Sequence, residues 1–246
     1  MSSTTLTGAA DVDRLILGNL SNKELSVVCR SNRTIRNLCE QIWVNRISDD
    51  IGADALDFKP EDLSWRDYYF VMREYLIPKS EDGEESYTET DEELLTRAVE
   101  NGVLPAVEIL GLRGLEYNKD LVTKAVTRGY IDLLDLFWDA GTLDSFTQRE
   151  LMILIINALA PDQVDVVDWF EQQGIYLTHS AIGAPRGEKL PTEGYVWTVV
   201  INRTRNGDGI RWLFDHGYDQ SLTDKLIDFA KMKPVAWGVF REYGYS

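Results

Sequence analysis

Three aspartates, Asp132, Asp165 and Asp208, stand at corresponding places in successive segments of the chain. A row of carboxylates can hold a metal ion or share a proton. The same place, at the start of a helix, also suits a cap or first-turn residue that answers the positive end of the helix dipole. The rest of the chemical inventory is small. The chain has two histidines. His216 lies in Asp-His-Gly at a helix end, where a cation suits the dipole. His179 follows Thr178 in a loop, and neither has a cysteine or histidine at ligand spacing. Cys29 and Cys39 also lack metal-type spacing, and thiols kept reduced in an intracellular setting are the simpler expectation. The chain has no Gly-x-Ser-x-Gly elbow and no phosphate-cradling glycine loop; Asn206-Gly-Asp-Gly209 falls within a turn. The expectation is a protein that is not an enzyme and holds no metal or cofactor.

The elements that position these residues repeat. A frame of small residue, short turn, apolar stripe and closing glycine spans residues 98–114, 125–141, 158–174 and 201–217, and a fifth copy closes at Gly244. The stripes run Val107/Ile109/Leu110, Leu134/Leu136/Phe137, Val167/Trp169/Phe170, Ile210/Trp212/Leu213 and Trp237/Val239/Phe240. The interleaved residue is polar in four copies, Glu108, Asp135, Asp168 and Arg211, and glycine (Gly238) in the fifth. This is one buried face of a helix, and the glycine beyond it supplies the left-handed conformation that ends a helix. An earlier apolar pair, such as Leu94/Leu95 or Leu121/Val122, marks a preceding helix. Each copy therefore reads as helix, tight turn, helix, glycine stop, and the fold class is all-α. In the fifth copy, Ala230 must take the small-residue place.

Composition narrows the partners. A net charge of −16 and a pI of about 4.5 argue against nucleic acid and anionic membranes, which demand a basic surface. The opening Met-Ser-Ser-Thr-Thr-Leu-Thr-Gly lacks the parts of a signal peptide. The longest apolar run, residues 151–160, suits a core helix rather than a membrane span. The expected location is intracellular, cytoplasmic or nuclear. Residues 1–10 are expected to be a disordered end. Residues 78–93 carry eight acidic side chains and one basic, which predicts either a solvated linker or an acidic docking segment.

Between these, residues 11–77 predict three short helices, with Asp11 and then Ser21 or Asn22 as caps, followed by a fourth helix over 60–77. Trp65, Tyr68, Tyr69, Met72 and Leu76 in the fourth form an aromatic stripe that is either core or a ligand box. The pattern Leu17-x-x-Leu20-Ser-x-x-Glu-Leu25-x-x-Val28-Cys29, continued to Leu38-Cys39 and Trp43, resembles the F-box, and more narrowly the shortened F-box-like segment of many proteins of giant DNA viruses. It has no opening Leu-Pro pair. The resemblance implies docking on a Skp-type adaptor of a cullin–RING ubiquitin ligase through Leu17, Leu20, Leu25, Val28 and Trp43. A unit this small cannot bury all its apolar residues by itself. Either a partner covers the remainder, or Leu63, Trp65, Tyr68, Tyr69 and Tyr75 do so from within the chain.

From Leu94 onward, the 33-residue spacing of the second and third copies is the ankyrin period. Residues 125–141 resemble the ankyrin helix pair. The chain lacks Thr-Pro-Leu-His, and 27-residue copies leave little room for a hairpin finger. The resemblance implies a solenoid of about five degenerate ankyrin-like repeats over 94–246. Target-binding residues are sought where the frame fails: at Trp138, which is either exposed or packed on a neighbour; at Tyr130, Tyr176 and Tyr218, which follow turns; and at Arg186 and Lys189 in the insertion 183–194. The combined expectation is a non-catalytic adaptor that brings a target protein to a ligase. The alternative is a repeat scaffold with a protein partner and no ubiquitin link.

Overall fold

The computed structural model describes residues 10–31, 35–78, 89–177 and 193–246. Arg186, Lys189, His179, most of the acidic stretch and residues 1–9 lie outside the described residues. Among the described residues every regular element is helical. The chain divides into two compact units, Met1–Glu116 and Tyr117–Ser246.

Unit 1 holds α1 (Ala10–Gly18), α2 (Asn22–Ser31), α3 (Arg36–Asp50), a 3-10 segment (Ala53–Phe58), α4 (Trp65–Leu76), α5 (Asp91–Glu100) and α6 (Leu104–Leu112). Helix α1 starts at Ala10, one residue before the expected cap Asp11. Ser21 caps α2 as expected: its hydroxyl accepts from the Glu24 amide while the Glu24 carboxylate accepts from the Ser21 amide and hydroxyl. Helix α4 begins five residues later than the sequence predicts. Residues 60–63 form a turn instead, closed by the Leu63 amide donating to the Pro60 carbonyl. Ser64 then caps the helix through the Asp67 amide. The aromatic stripe is core. Tyr68, Tyr69, Met72 and Leu76 are buried, and the Tyr68 hydroxyl donates to the Ala55 carbonyl at 2.7 Å. Helix α3 packs on α1, α2, α4 and the 3-10 segment, and α4 packs in turn on α5 and α6. Arg113, just past α6, donates to Asp54 at 3.1 Å and to the Ile51 carbonyl at 2.6 Å. The first repeat copy is in this way part of the same unit as the N-terminal helices.

The two cysteines correct an expectation. Cys29 on α2 and Cys39 on α3 lie at a Cα separation of 5.9 Å, and they form a disulfide. Disulfides persist in oxidising compartments, so the pair gives no support to a reducing one.

Unit 2 holds α7 (Lys119–Arg128), α8 (Ile131–Asp139), α9 (Gln148–Leu159), α10 (Val164–Gln172), α11 (Glu193–Arg203), α12 (Asp208–Asp215), α13 (Asp224–Lys231) and α14 (Pro234–Glu242). The odd-numbered helices contact one another in order, and so do the even-numbered ones. The result is two layers of helices built from successive pairs. The frame has a backbone cause. The small residues Ala98, Ala125 and Ala158 are fully buried. Their carbonyls accept from the amides of Val103, Tyr130 and Gln163, five residues on, the bond that closes a helix ending on a left-handed residue. The closing glycines Gly114, Gly141, Gly174, Gly217 and Gly244 all have positive φ.

Polar ties link neighbouring pairs. The Lys119 ammonium on α7 donates to Glu150 on α9 at 2.7 Å. That bond, helped by the Thr147 amide of a capping box, holds the Glu150 carboxyl down at about 2. The Trp169 indole donates to Asp135 at 2.7 Å, and Arg211 pairs with Glu242 at 3.0 Å. Two interleaved positions of the stripe, Asp135 and Arg211, thus serve as ties between pairs.

Candidate functional site

The aspartate row stands at helix starts. Asp132, Asp165 and Asp208 are first-turn residues of α8, α10 and α12, and none makes a side-chain cap. Among the described residues no group of three or more potential ligands is placed to hold a metal. His216 follows α12, stacks on Trp212 at 3.8 Å and bonds to the Trp212 carbonyl. No described helix is long and apolar enough to cross a membrane.

One carboxylate outside the row has a strong local role. Asp162 has φ 67° and occupies the left-handed place that Gly102 and Gly129 hold in the earlier copies. Aspartate tolerates this conformation better than most residues. Its carboxylate accepts from the Thr204 hydroxyl at 2.6 Å and from the amides of Arg205, Asn206 and Gly209 at 2.6, 2.9 and 3.0 Å. The third copy's turn thereby clasps the fourth copy's. Burial pushes the Asp162 carboxyl up, but the Thr204 hydroxyl and the three amides outweigh it, and the net effect is a lowered pKa. A depressed carboxylate stabilises the fold in full above its ordinary value of 3.8, and that contribution is lost as pH falls through the lower folded value. Asp162→Asn is expected to flatten this acid limb in denaturation measured against pH. Asp162→Ala, which also strains the turn, is expected to cost about 2–4 kcal/mol.

At the same edge of unit 2 lies an open groove of about 860 Å³. Thr127, Arg128 and Tyr130 come from the turn of the second copy. Asn157, Pro161 and Gln163 come from the third, and Arg203 and Arg205 from the fourth. The Gln163 side chain lies over Gly129, where a Cβ would displace it. Of the described residues expected to bind a target, the groove contains Tyr130 alone. Tyr176 is exposed elsewhere, and Tyr218 is buried, contrary to expectation, because its hydroxyl donates to the Leu177 carbonyl. Trp138 satisfies both alternatives: it is 36% exposed and meets Trp169 edge-on at 6.0 Å.

The residues assigned to adaptor docking divide in unit 1. Leu20 and Val28 are half-buried. Leu17, Leu25 and Trp43 are buried within the unit and are corrected to core positions. Trp43 packs on Tyr69 and Phe70, with ring centroids at 5.2 and 5.5 Å, so the cover comes from α4. The large apolar side chains left exposed in unit 1 among the described residues are Val12, Leu15 and Ile16 on α1, Val27 on α2 and Leu112 at the end of α6, with Leu15 69% exposed. Residues 12, 15 and 16 share one face at helical spacing. The hollow between α1 and α3, about 470 Å³, is lined by Arg14 and Arg46. Both are engaged: Arg46 with Asn22 and the Leu20 carbonyl, and Arg14 with a partner of its own.

The chain matches no protein-family model, no curated protein and no solved structure.

Proposed function

We propose that the chain is a non-catalytic protein-interaction adaptor, with an F-box-like N-terminal part and degenerate ankyrin-like repeats forming a helical solenoid. The observation that carries this reading is the groove of unit 2. It is assembled from the turns of three successive helix pairs and so offers one continuous surface to a target protein. Docking on a Skp-type adaptor rests on the resemblance at residues 17–43. It is supported by the exposed apolar face of α1, which is otherwise uncovered among the described residues. On this reading Val12, Leu15, Ile16 and Val27 are the contacts, in place of the buried Leu17, Leu25 and Trp43. The work done is proximity: a target held beside a ligase has a raised effective concentration there.

The burial of those three residues favours a second reading, a repeat scaffold with no ubiquitin link. A pulldown of the full chain with a purified Skp-type adaptor separates the two. Binding at micromolar concentration, lost in Leu15→Asp/Ile16→Asp with the melting temperature unchanged, is the expected result. No binding by the wild-type chain at that concentration leaves only the scaffold.

A further inference from the structure

Three arginines, Arg128, Arg203 and Arg205, converge on the groove in unit 2. Four described arginines pair with carboxylates, Arg66 with Asp67, Arg97 with Glu89, Arg113 with Asp54 and Arg211 with Asp208 and Glu242, whereas others such as Arg30, Arg36, Arg73 and Arg241 stand apart from one another on the surface. Arg128, Arg203 and Arg205 form no ion pair with any described residue, although the chain carries a net charge of −16. Among the described residues no acidic side chain lines the groove. The carboxylate of Asp162 is already saturated by the Thr204 hydroxyl and three amides. Helix ends explain only part of the arrangement. Arg128 and Arg203 sit in the last turns of α7 and α11, where a cation suits the carbonyl end. Arg205 lies beyond α11, in the turn. The amino ends of α8 and α12 begin near the same edge with the opposite partial charge.

We infer that the groove binds an anionic peptide segment, lying across the three turns with its carboxylates or phosphates on Arg128, Arg203 and Arg205. Arginine forms paired hydrogen bonds with either group. Asn157, Gln163, Thr127 and Tyr130 supply neutral polar groups between the charges. This inference rests on the reading of unit 2 as a binding module and names the chemistry of what it binds. The chain's overall negative field disfavours a nucleic acid in the same place. An acidic protein that presents a local basic groove selects for a concentrated negative segment and repels a diffuse one.

The test uses the full chain and short fluorescein-labelled peptides read by anisotropy at low salt. One alternates glycine with glutamate, one glycine with glutamine, and one glycine with phosphoserine. The expected result is that the glutamate or the phosphoserine peptide binds at least about tenfold more tightly than the glutamine peptide, and more weakly at high salt. The tighter of the two identifies the source of the charge. Arg203→Gln/Arg205→Gln is expected to weaken that binding about tenfold with an unchanged melting temperature. Arg128→Gln serves if the double variant does not fold. The inference is overturned if neither anionic peptide binds, if the glutamine peptide binds as well, if the variants keep wild-type affinity, or if a labelled thymidine oligonucleotide binds more tightly than either peptide. Any of these leaves the adaptor test on α1 unaffected, because that test probes the other unit.

Discussion

Gly209→Ala is expected to destabilise unit 2 by about 3 kcal/mol, read as a fall in the urea midpoint with an unchanged slope. Gly209 is a buried helical residue of α12, and its backbone conformation is one that alanine adopts freely. The difficulty is space. A Cβ at this position would overlap the Leu159 carbonyl oxygen at the end of α9 and approach the Leu159 carbonyl carbon at 3.0 Å and Val200 at 3.4 Å. The first two obstacles are backbone, so no side-chain rotation relieves them. Either α12 moves away from α9, or the Asp162 clasp, which uses the Gly209 amide, opens. Gly238→Ala is the matched control. Gly238 lies inside α14, and a Cβ there meets nothing within 4 Å. Its substitution is expected to stabilise by about 0.5–1 kcal/mol, the usual helix gain of alanine over glycine. If both variants shift the midpoint the same way, close approach is not the reason for Gly209.

Trp43→Ala is expected to cost about 3–5 kcal/mol and to unfold unit 1 before it affects any adaptor contact. The indole is 1% exposed and packed on Tyr69 and Phe70, with the Arg46 guanidinium 5.3 Å from the ring centre. Its Nε1 has no hydrogen-bond partner among the described residues. Trp43→Phe therefore removes an unsatisfied polar group along with some volume, and the loss is expected to stay below about 1.5 kcal/mol. A Trp43→Ala chain that keeps its melting temperature but loses adaptor binding would return Trp43 to the docking surface.

The helix pairs were legible because their stops leave marks in the sequence. The second helix of each copy closes on a left-handed glycine, and in three copies the first helix ends with a carbonyl that sits under a buried alanine. Both requirements act locally, so Ala98, Ala125, Ala158 and the five closing glycines stand out by spacing alone. The Ser21-x-x-Glu24 part of the N-terminal pattern is also local: it is a capping box, and its residues would recur at many unrelated helix starts. Residues governed by distant neighbours were not legible. Whether Leu17 or Leu15 faces inward is decided by how α1 lies on α3 within unit 1. Leu15 and Ile16 are visible as a stripe, but nothing local says which side is covered. The groove arginines fall at unmatched places of the frame, Arg128 three residues after Ala125 and Arg203 and Arg205 two and four after Ile201. They carry no periodic signal and converge only in three dimensions. The cysteine pair depends on how α2 lies against α3, which spacing alone does not specify.

The clasp at Asp162 bears on how such a chain can change over generations. Repeat proteins lengthen and shorten by whole units when every junction is the same. Here the third and fourth copies form a matched pair: one supplies a carboxylate from a glycine place, and the other supplies a hydroxyl and three amides from a turn shaped to receive it. Deleting the fourth copy, or inserting another between the two, strands a charge on one side and unpaired donors on the other. Gain or loss of copies is therefore far less tolerable at this junction than at one without such a lock, and the chain can be recombined only with these two copies kept together.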